Sequence, residues 1–256
     1  MLSRDTSLDR RVALVTGASR KLGATIAAEL SLRGARVVVN YNTSTVAAED
    51  LASKLRNEGG EAIAIQADVS DPHAVTRLID QTLENYGALQ ILVNNAGPYT
   101  DVPFAKLSPD QWDWIINTNI KAAYYASQLA FRSMSVQGWG RVVSISAGSA
   151  FVRNHAVFGL AKNALLTLTE SLALEFAPQV TVNAVAPGLI DDPQVPAGIS
   201  MNVQQDTPLR RLVTYQEVAD MVCLLCSPAF DAVTGQVIVM DGGQTISRGM
   251  IFDDQE

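Results

Sequence analysis

Cysteine and histidine are scarce in this chain, two of each in 256 residues, and neither pair makes a metal site. Zinc wants four ligands, and redox or zinc cysteine pairs sit on turns or at helix starts. Cys223 and Cys226 form a C-x-x-C inside the apolar run 218–226, which reads as a buried helix. His73 follows Asp71-Pro72 at a helix start and reads as a solvated residue, and His155 lies in an Arg-Asn-His turn. No metal is expected. Positive charge is also short: 19 Lys and Arg against 26 Asp and Glu give a net charge of −7. That balance argues against nucleic acid or an anionic membrane surface as the main partner. No stretch of roughly 18 uninterrupted apolar residues exists to span a bilayer. Residues 1–11 are polar, carry three arginines and do not form a secretory signal. A cytoplasmic setting is expected.

Linkers rich in Pro or Gly, internal repeats and low-complexity tracts are absent as well. The expectation is one domain over residues 11–256, preceded by a flexible tail at 1–10. A hydrophobic content of 48% is ample for its core. β-Branched runs at 12–16, 35–40, 62–66, 91–93, 141–145, 180–185 and 236–240 alternate with helical patterns beginning near Gly23, Thr45, Pro72, Pro109, Val157 and Gln216. Continuous apolar strands between helices imply an α/β fold with a parallel sheet covered on both faces. The segment 191–206, rich in Pro, Gln and Asp, is weakly patterned and reads as a loop covering a substrate.

The first strand runs into Thr16-Gly17-Ala18-Ser19-Arg20-Lys21-Leu22-Gly23 and then a helix. Glycines at such a turn let the backbone approach a pyrophosphate, and the helix N-terminus favours its charge. Asp68 follows the third strand, Asn94-Asn95-Ala96-Gly97 the fourth and Pro187-Gly188 the sixth. Val233-Thr234-Gly235-Gln236 and Asp241-Gly242-Gly243 close the pattern. Over residues 10–245 this set resembles the short-chain dehydrogenase/reductase family. The resemblance implies one Rossmann-type, doubly wound domain with a seven-stranded parallel sheet, a small-molecule substrate and self-association as a dimer or tetramer. It places Gly17 and Gly23 at the pyrophosphate, Asp68 at adenine, Asn94 and Gly97 along the cofactor, and Pro187 and Gly188 at the nicotinamide. Ser19, Leu22, Val69, Asn95, Ala96 and Ile190 would lie beside them. The family's middle glycine is Lys21 here, and pteridine reductases similarly carry a basic residue there.

The second strand ends Asn40-Tyr41-Asn42-Thr43-Ser44. An NAD site wants an acid at that strand end, whereas Asn40 would not repel a 2′-phosphate. Arg20 and Lys21 could pair with that phosphate and Ser44 could donate to it, so NADP(H) is the expected cofactor.

The family's reaction uses an asparagine, a serine, a tyrosine and a lysine. By the resemblance, Asn119 helps hold a proton-relay water, and Lys162 binds the ribose and lowers the tyrosine's pKa. In Ser144-Ile145-Ser146-Ala147-Gly148-Ser149 the usual serine position is Ala147. Ser146 or Ser149 could serve, with Ser146 preferred. The tyrosine position is Phe158, four before Lys162, which lacks the one oxygen that passes a proton. Four explanations are open. Phe158 is a deliberate Tyr→Phe exchange. The substrate bond is a conjugated C=C, whose enolate needs only a donor or water. Another residue gives the proton, His155 above all: it lies seven before Lys162, where enoyl reductases of the family place their tyrosine. Or redox chemistry has been lost and a binding, cyclising or isomerising role kept.

Tyr99, in Gly97-Pro98-Tyr99, matches an aromatic residue that stacks a flat substrate in pteridine reductases, which leans toward a planar substrate. Those enzymes carry an aspartate near Ser146 or Ala147, so a pterin itself does not fit. Phe151, with Val152, Val195, Pro196, Ile199 and Met201, supplies candidate apolar walls. Trp112 and Trp114, two apart on one helix, are expected to face different sides, one core and one interface.

Overall fold

The computed structural model describes residues 8–152 and 156–247. Seven parallel strands form one sheet in the order β3-β2-β1-β4-β5-β6-β7. They are β1 Val12–Val15, β2 Arg36–Tyr41, β3 Glu61–Gln66, β4 Ile91–Asn94, β5 Gly140–Ile145, β6 Val180–Pro187 and β7 Val237–Met240. Each matches an expected run, with ends displaced by up to two residues.

Side chains alternate across a strand, so each strand feeds two cores. Ala13 and Val15 of β1, with Val37 and Val39 of β2, pack on one face. Against them lie α1 (Lys21–Leu32), α2 (Thr45–Asn57) and α8 (Tyr215–Cys226). Leu14, Val38, Leu92 and Val142 point to the other face. There they meet α3 (Pro72–Tyr86), α5 (Ala122–Gln137) and α6 (Val157–Phe176). Phe131 and Phe176 stack between α5 and α6 with centroids 4.1 Å apart. Helix α6 is long and apolar enough, by length and composition, to cross a membrane. Here it buries Leu165, Leu172, Ala173 and Phe176 within the fold.

Four expectations are corrected. Leu8 is buried and its N–H donates to Arg33 O at 3.2 Å, so residues 8–10 belong to the fold and not to a tail. Residues 1–7 lie outside the described residues. The loop expected at 191–206 carries a helix, α7 (Ala197–Asp206). It buries no residue, so its sequence shows no apolar stripe to read. The helix starting at Pro109 is not one run: α4 (Pro109–Ile116) passes through a π turn at Asn117–Lys121 before α5. Trp112 and Trp114 are both exposed in the single chain, at 40% and 52%.

The strand order reverses between β1 and β4. Loops leaving these two strands separate there and open a crevice at the carboxyl ends of the sheet.

Cys223 and Cys226 are buried, unpaired thiols inside α8. Burial pushes Cys226 up to about 12 and raises Cys223 well above its usual value. Both thiols are therefore expected to resist an aromatic disulfide reagent in the native state and to react together on unfolding. A native-state thiol titration checks this, and rapid reaction of either one would contradict the burial.

Candidate active site

The floor of the crevice is made by hydrogen bonds that press the Thr16–Gly17 turn against its neighbours. Asn40 is buried at the end of β2, and its Oδ1 accepts from Gly17 N at 3.1 Å. Its Nδ2 donates to Ile65 O at 3.3 Å and Ala67 O at 3.2 Å. The side chain expected to face the cofactor's 2′-phosphate is thus turned into the fold. Tyr41 is likewise buried, and Ser44 caps α2 by position with no side-chain cap bond. Just after β4, Asn95 Nδ2 donates to Thr16 O at 2.9 Å and Gly17 O at 3.1 Å. Thr16 Oγ1 accepts from Asn95 N and Ala96 N. Asn94 points below the floor, donating to Ser127 Oγ at 3.1 Å.

Glycine is required where the walls touch. Gly17 has φ +62°. A Cβ on Gly23 would sit 2.5 Å from Gly17 O, and one on Gly97 would collide with Asn119 Oδ1. A Cβ on Gly188 would come within 2.9 Å of Asp241 Cβ. Asp68 accepts from Ser70 N at 2.9 Å and Ser70 Oγ at 2.7 Å. Burial works against its charge, but these bonds outweigh it and hold the carboxyl below its usual range. Val69 is buried beside it. Ser19 is half-buried, Arg20 and Lys21 are exposed, and Leu22 closes one wall. Lys21 does not wait for a phosphate: its ammonium is 2.7 Å from Asp192 Oδ2. The glycine-lined floor, the helix N-terminus above it and the orphaned oxygen described next fit a nicotinamide dinucleotide.

A cleft of about 730 Å³ opens over this floor, lined by Leu22, Asn95, Gly97, Pro187, Gly188 and Ile190. Tyr99, Ser146, Ala147, Ser149, Val152, Phe158 and Lys162 line it as well. Tyr99 meets Phe158 edge to face, with centroids 5.0 Å apart. Of the expected apolar walls Val152 is in place, whereas Phe151, Ile199 and Met201 are exposed and not part of the cleft. Val203 of α7 lines it instead, a residue with no sequence signal to single it out.

Lys162 lies one turn after Phe158 on α6, its Nζ 5.5 Å from the ring centroid. It is buried, donates to Ile145 O at 2.8 Å, and burial lowers its pKa to about 8. Asn119 sits in the π turn, a distortion often found at functional sites. Its Nδ2 donates to Pro98 O and Ile115 O, while Oδ1 has no partner among the described residues. Thr118 Oγ1 is likewise unpaired among them. Both residues, with Lys162, line a cavity of about 10 Å³, room for one water. Ser146 Oγ is committed to Lys162 O at 2.9 Å, whereas buried Ser149 Oγ has no partner among the described residues. Both serines line the cleft, and Ser149 Oγ is the hydroxyl without a competing bond among the described residues. His155 lies outside the described residues.

A family profile described as enoyl-(acyl carrier protein) reductase matches residues 17–245. The chain is 37% identical to a versicolorin reductase of Emericella nidulans, over 92% of this chain and 96% of that one. A short-chain dehydrogenase/reductase from Serratia marcescens superposes with a TM-score of 0.89 at 34% identity, covering 93% and 99% of the two chains. A blue fluorescent protein from a metagenomic library, solved in complex with NADPH, gives 0.88 at 32%, over 93% and 99%.

Two variants test the site. Asn40→Leu strands Gly17 N and two strand-end carbonyls, and should lower stability by about 2–4 kcal/mol in chemical denaturation. A loss below about 1 kcal/mol would mean that the turn holds itself. Lys162→Met removes a buried cation whose shift, from 10.5 to about 8, corresponds to about 3 kcal/mol. The cost is complete below pH about 8 and is relieved as pH rises toward 10.5, because the native lysine then loses its proton before the unfolded one does. The variant should gain about 1–3 kcal/mol near neutral pH, and the gain should shrink above pH about 8. Paired unfolding curves against pH check the sign, and a gain constant across that window would mean a hydrated ammonium.

Proposed function

The chain belongs to the short-chain dehydrogenase/reductase family, and on that premise we propose that it is an NADP(H)-dependent reductase acting on a small, planar substrate. The bond reduced is a carbonyl or, by preference, a C=C conjugated to one. The observation that carries this reading is the meeting of buried Lys162 and the unpaired Asn119 Oδ1 at the closed end of the glycine-floored cleft. Gly17, Gly23, Gly97 and Gly188 hold the cofactor by letting it approach the backbone. A nicotinamide bound there supplies the hydride. The preference for NADP(H) rests on the absence of an acid at Asn40 and on Arg20, which is exposed beside the floor and makes no ion pair among the described residues. Lys162 binds ribose hydroxyls and, with Asn119 and Thr118, keeps a water in the small cavity as a proton reserve. Tyr99 and Phe158 form an aromatic corner for a flat ring.

Conjugate reduction is preferred because the carbonyl end of the cleft has no phenol at Phe158 and no hydroxyl at Ala147, and because Ser146 Oγ faces helix backbone. Hydride then lands on carbon, and water near Lys162 suffices for the proton. The same losses favour a second reading, a protein that binds NADP and catalyses cyclisation or isomerisation without turning the cofactor over. In either reading the chain acts in the cytoplasm and self-associates as a dimer or tetramer. Trp112, Trp114, Tyr124 and Leu160, exposed on α4, α5 and α6, support that association.

NADPH oxidation by this chain and by Phe158→Tyr, on a quinone, a 1,2-diketone, an enone and a dihydropterin, tests the reading. The unaltered chain should turn over the enone, and Phe158→Tyr should raise carbonyl reduction by about tenfold or more. If neither oxidises NADPH although both bind it, the non-redox reading takes its place.

A further inference from the structure

Lys21 stands where the backbone is left-handed, at φ +51°, a conformation that side-chain-bearing residues adopt uncommonly and usually for a reason. Its ammonium reaches from the start of α1 to the segment that follows β6. It lies 2.7 Å from Asp192 Oδ2 and donates to Gln194 Oε1 at 2.6 Å, on the segment between β6 and α7. Asp192 is held in turn from a third element: Tyr215 OH, in the first turn of α8, donates to Oδ2 at 2.6 Å. Gln194 N donates to Oδ1 at 2.8 Å. The segment is fixed at its base by Asp191 N donating to Val213 O at 2.8 Å. Both ends are thus anchored on helices, α1 and α8, that share one core. The Asp192 side chain is only 12% exposed, while that of Lys21 is 41% exposed. Leu22 and Ile190, close in sequence to the two ends, both line the large cleft.

We propose that Lys21, Asp192 and Tyr215 form a strap across the mouth of the dinucleotide cleft and set the rate at which cofactor leaves. The strap acts on the pyrophosphate end that NADH and NADPH share, not on the 2′-phosphate that separates them. The inference rests on the reading of the cleft as a nicotinamide dinucleotide site. Its chemistry follows from charge. A carboxylate beside a dianionic pyrophosphate would repel it, and Lys21 cancels that charge while tying the two walls together. The two hydrogen bonds that Asp192 accepts beyond Lys21 hold it ionised, its pKa lowered to about 2 first by Lys21 and then by Tyr215 and Gln194 N. Asp192 therefore stays charged at neutral pH. Lys21 was also a candidate partner for the 2′-phosphate, and the two roles make opposite predictions for Asp192.

The test is cofactor release, read from nicotinamide fluorescence in a stopped-flow displacement and needing no substrate. Lys21→Met and Asp192→Asn should each speed release of NADH and NADPH by the same factor, about tenfold, with association nearly unchanged. Tyr215→Phe should give a smaller increase, about twofold to threefold. Thermal midpoints recorded alongside should stay near that of the unaltered chain, which separates a strap from a fold defect. The proposal is overturned if Lys21→Met speeds NADPH release alone. It is also overturned if Asp192→Asn slows release, because a freed Lys21 would then be gripping phosphate. Unchanged rates in both variants, with cofactor bound normally, sink the strap and leave the reductase reading standing. If the unaltered chain binds neither cofactor, both fall together.

Discussion

The crevice depends on one buried carboxamide. Asn40 joins the turn after β1 to the ends of β2 and β3 through Gly17 N, Ile65 O and Ala67 O. No apolar residue can replace it, because buried backbone groups without partners are costly. With that turn fixed, Asn95 and Thr16 fasten it to β4 from the other side. The glycines are then obligatory, since Gly23 and Gly97 leave no space for a Cβ.

The opposite end of the cleft is organised around a cation instead. Lys162 has lost nearly all its water and faces Ile145 O, with the Phe158 ring beside it. A residue so costly to bury is usually kept for chemistry. The lysine, the asparagine and the water-sized cavity persist, while the phenol is replaced by Phe158 and the usual serine position is Ala147. On the proposed reading that combination keeps the means to hold a ribose and store a proton, but lacks the phenol that would hand it to a carbonyl oxygen. A C=C bond places less demand on that missing donor.

The third feature of the site is its edge. Lys21 and Asp192 are 171 positions apart in the chain, yet they form an ion pair next to Leu22 and close to Ile190, which both line the cleft. It depends on α1 and α8 packing on the same face of the sheet, which sets the distance between the glycine turn and Tyr215.

The strands were legible because the residues that form a doubly covered parallel sheet are apolar on both faces, and their β-branched runs stand out against the helices. The order of the turn motifs was enough to identify the family, since each glycine answers a local steric demand. Helix α7 was not legible, because it buries nothing and so has no stripe. The direction of a polar side chain was not legible either. Asn40 turns inward, Ser146 bonds to helix backbone and Lys21 pairs with Asp192, although local sequence offered each of them to the cofactor or substrate. The sequence alone determined the architecture, the glycine-floored crevice and the loss of the phenol at Phe158, because these follow from residue type and period. Only the tertiary structure decided which polar groups remain free, because hydrogen-bond partners far apart in sequence claim some atoms and leave Asn119 Oδ1 and Ser149 Oγ without a partner among the described residues.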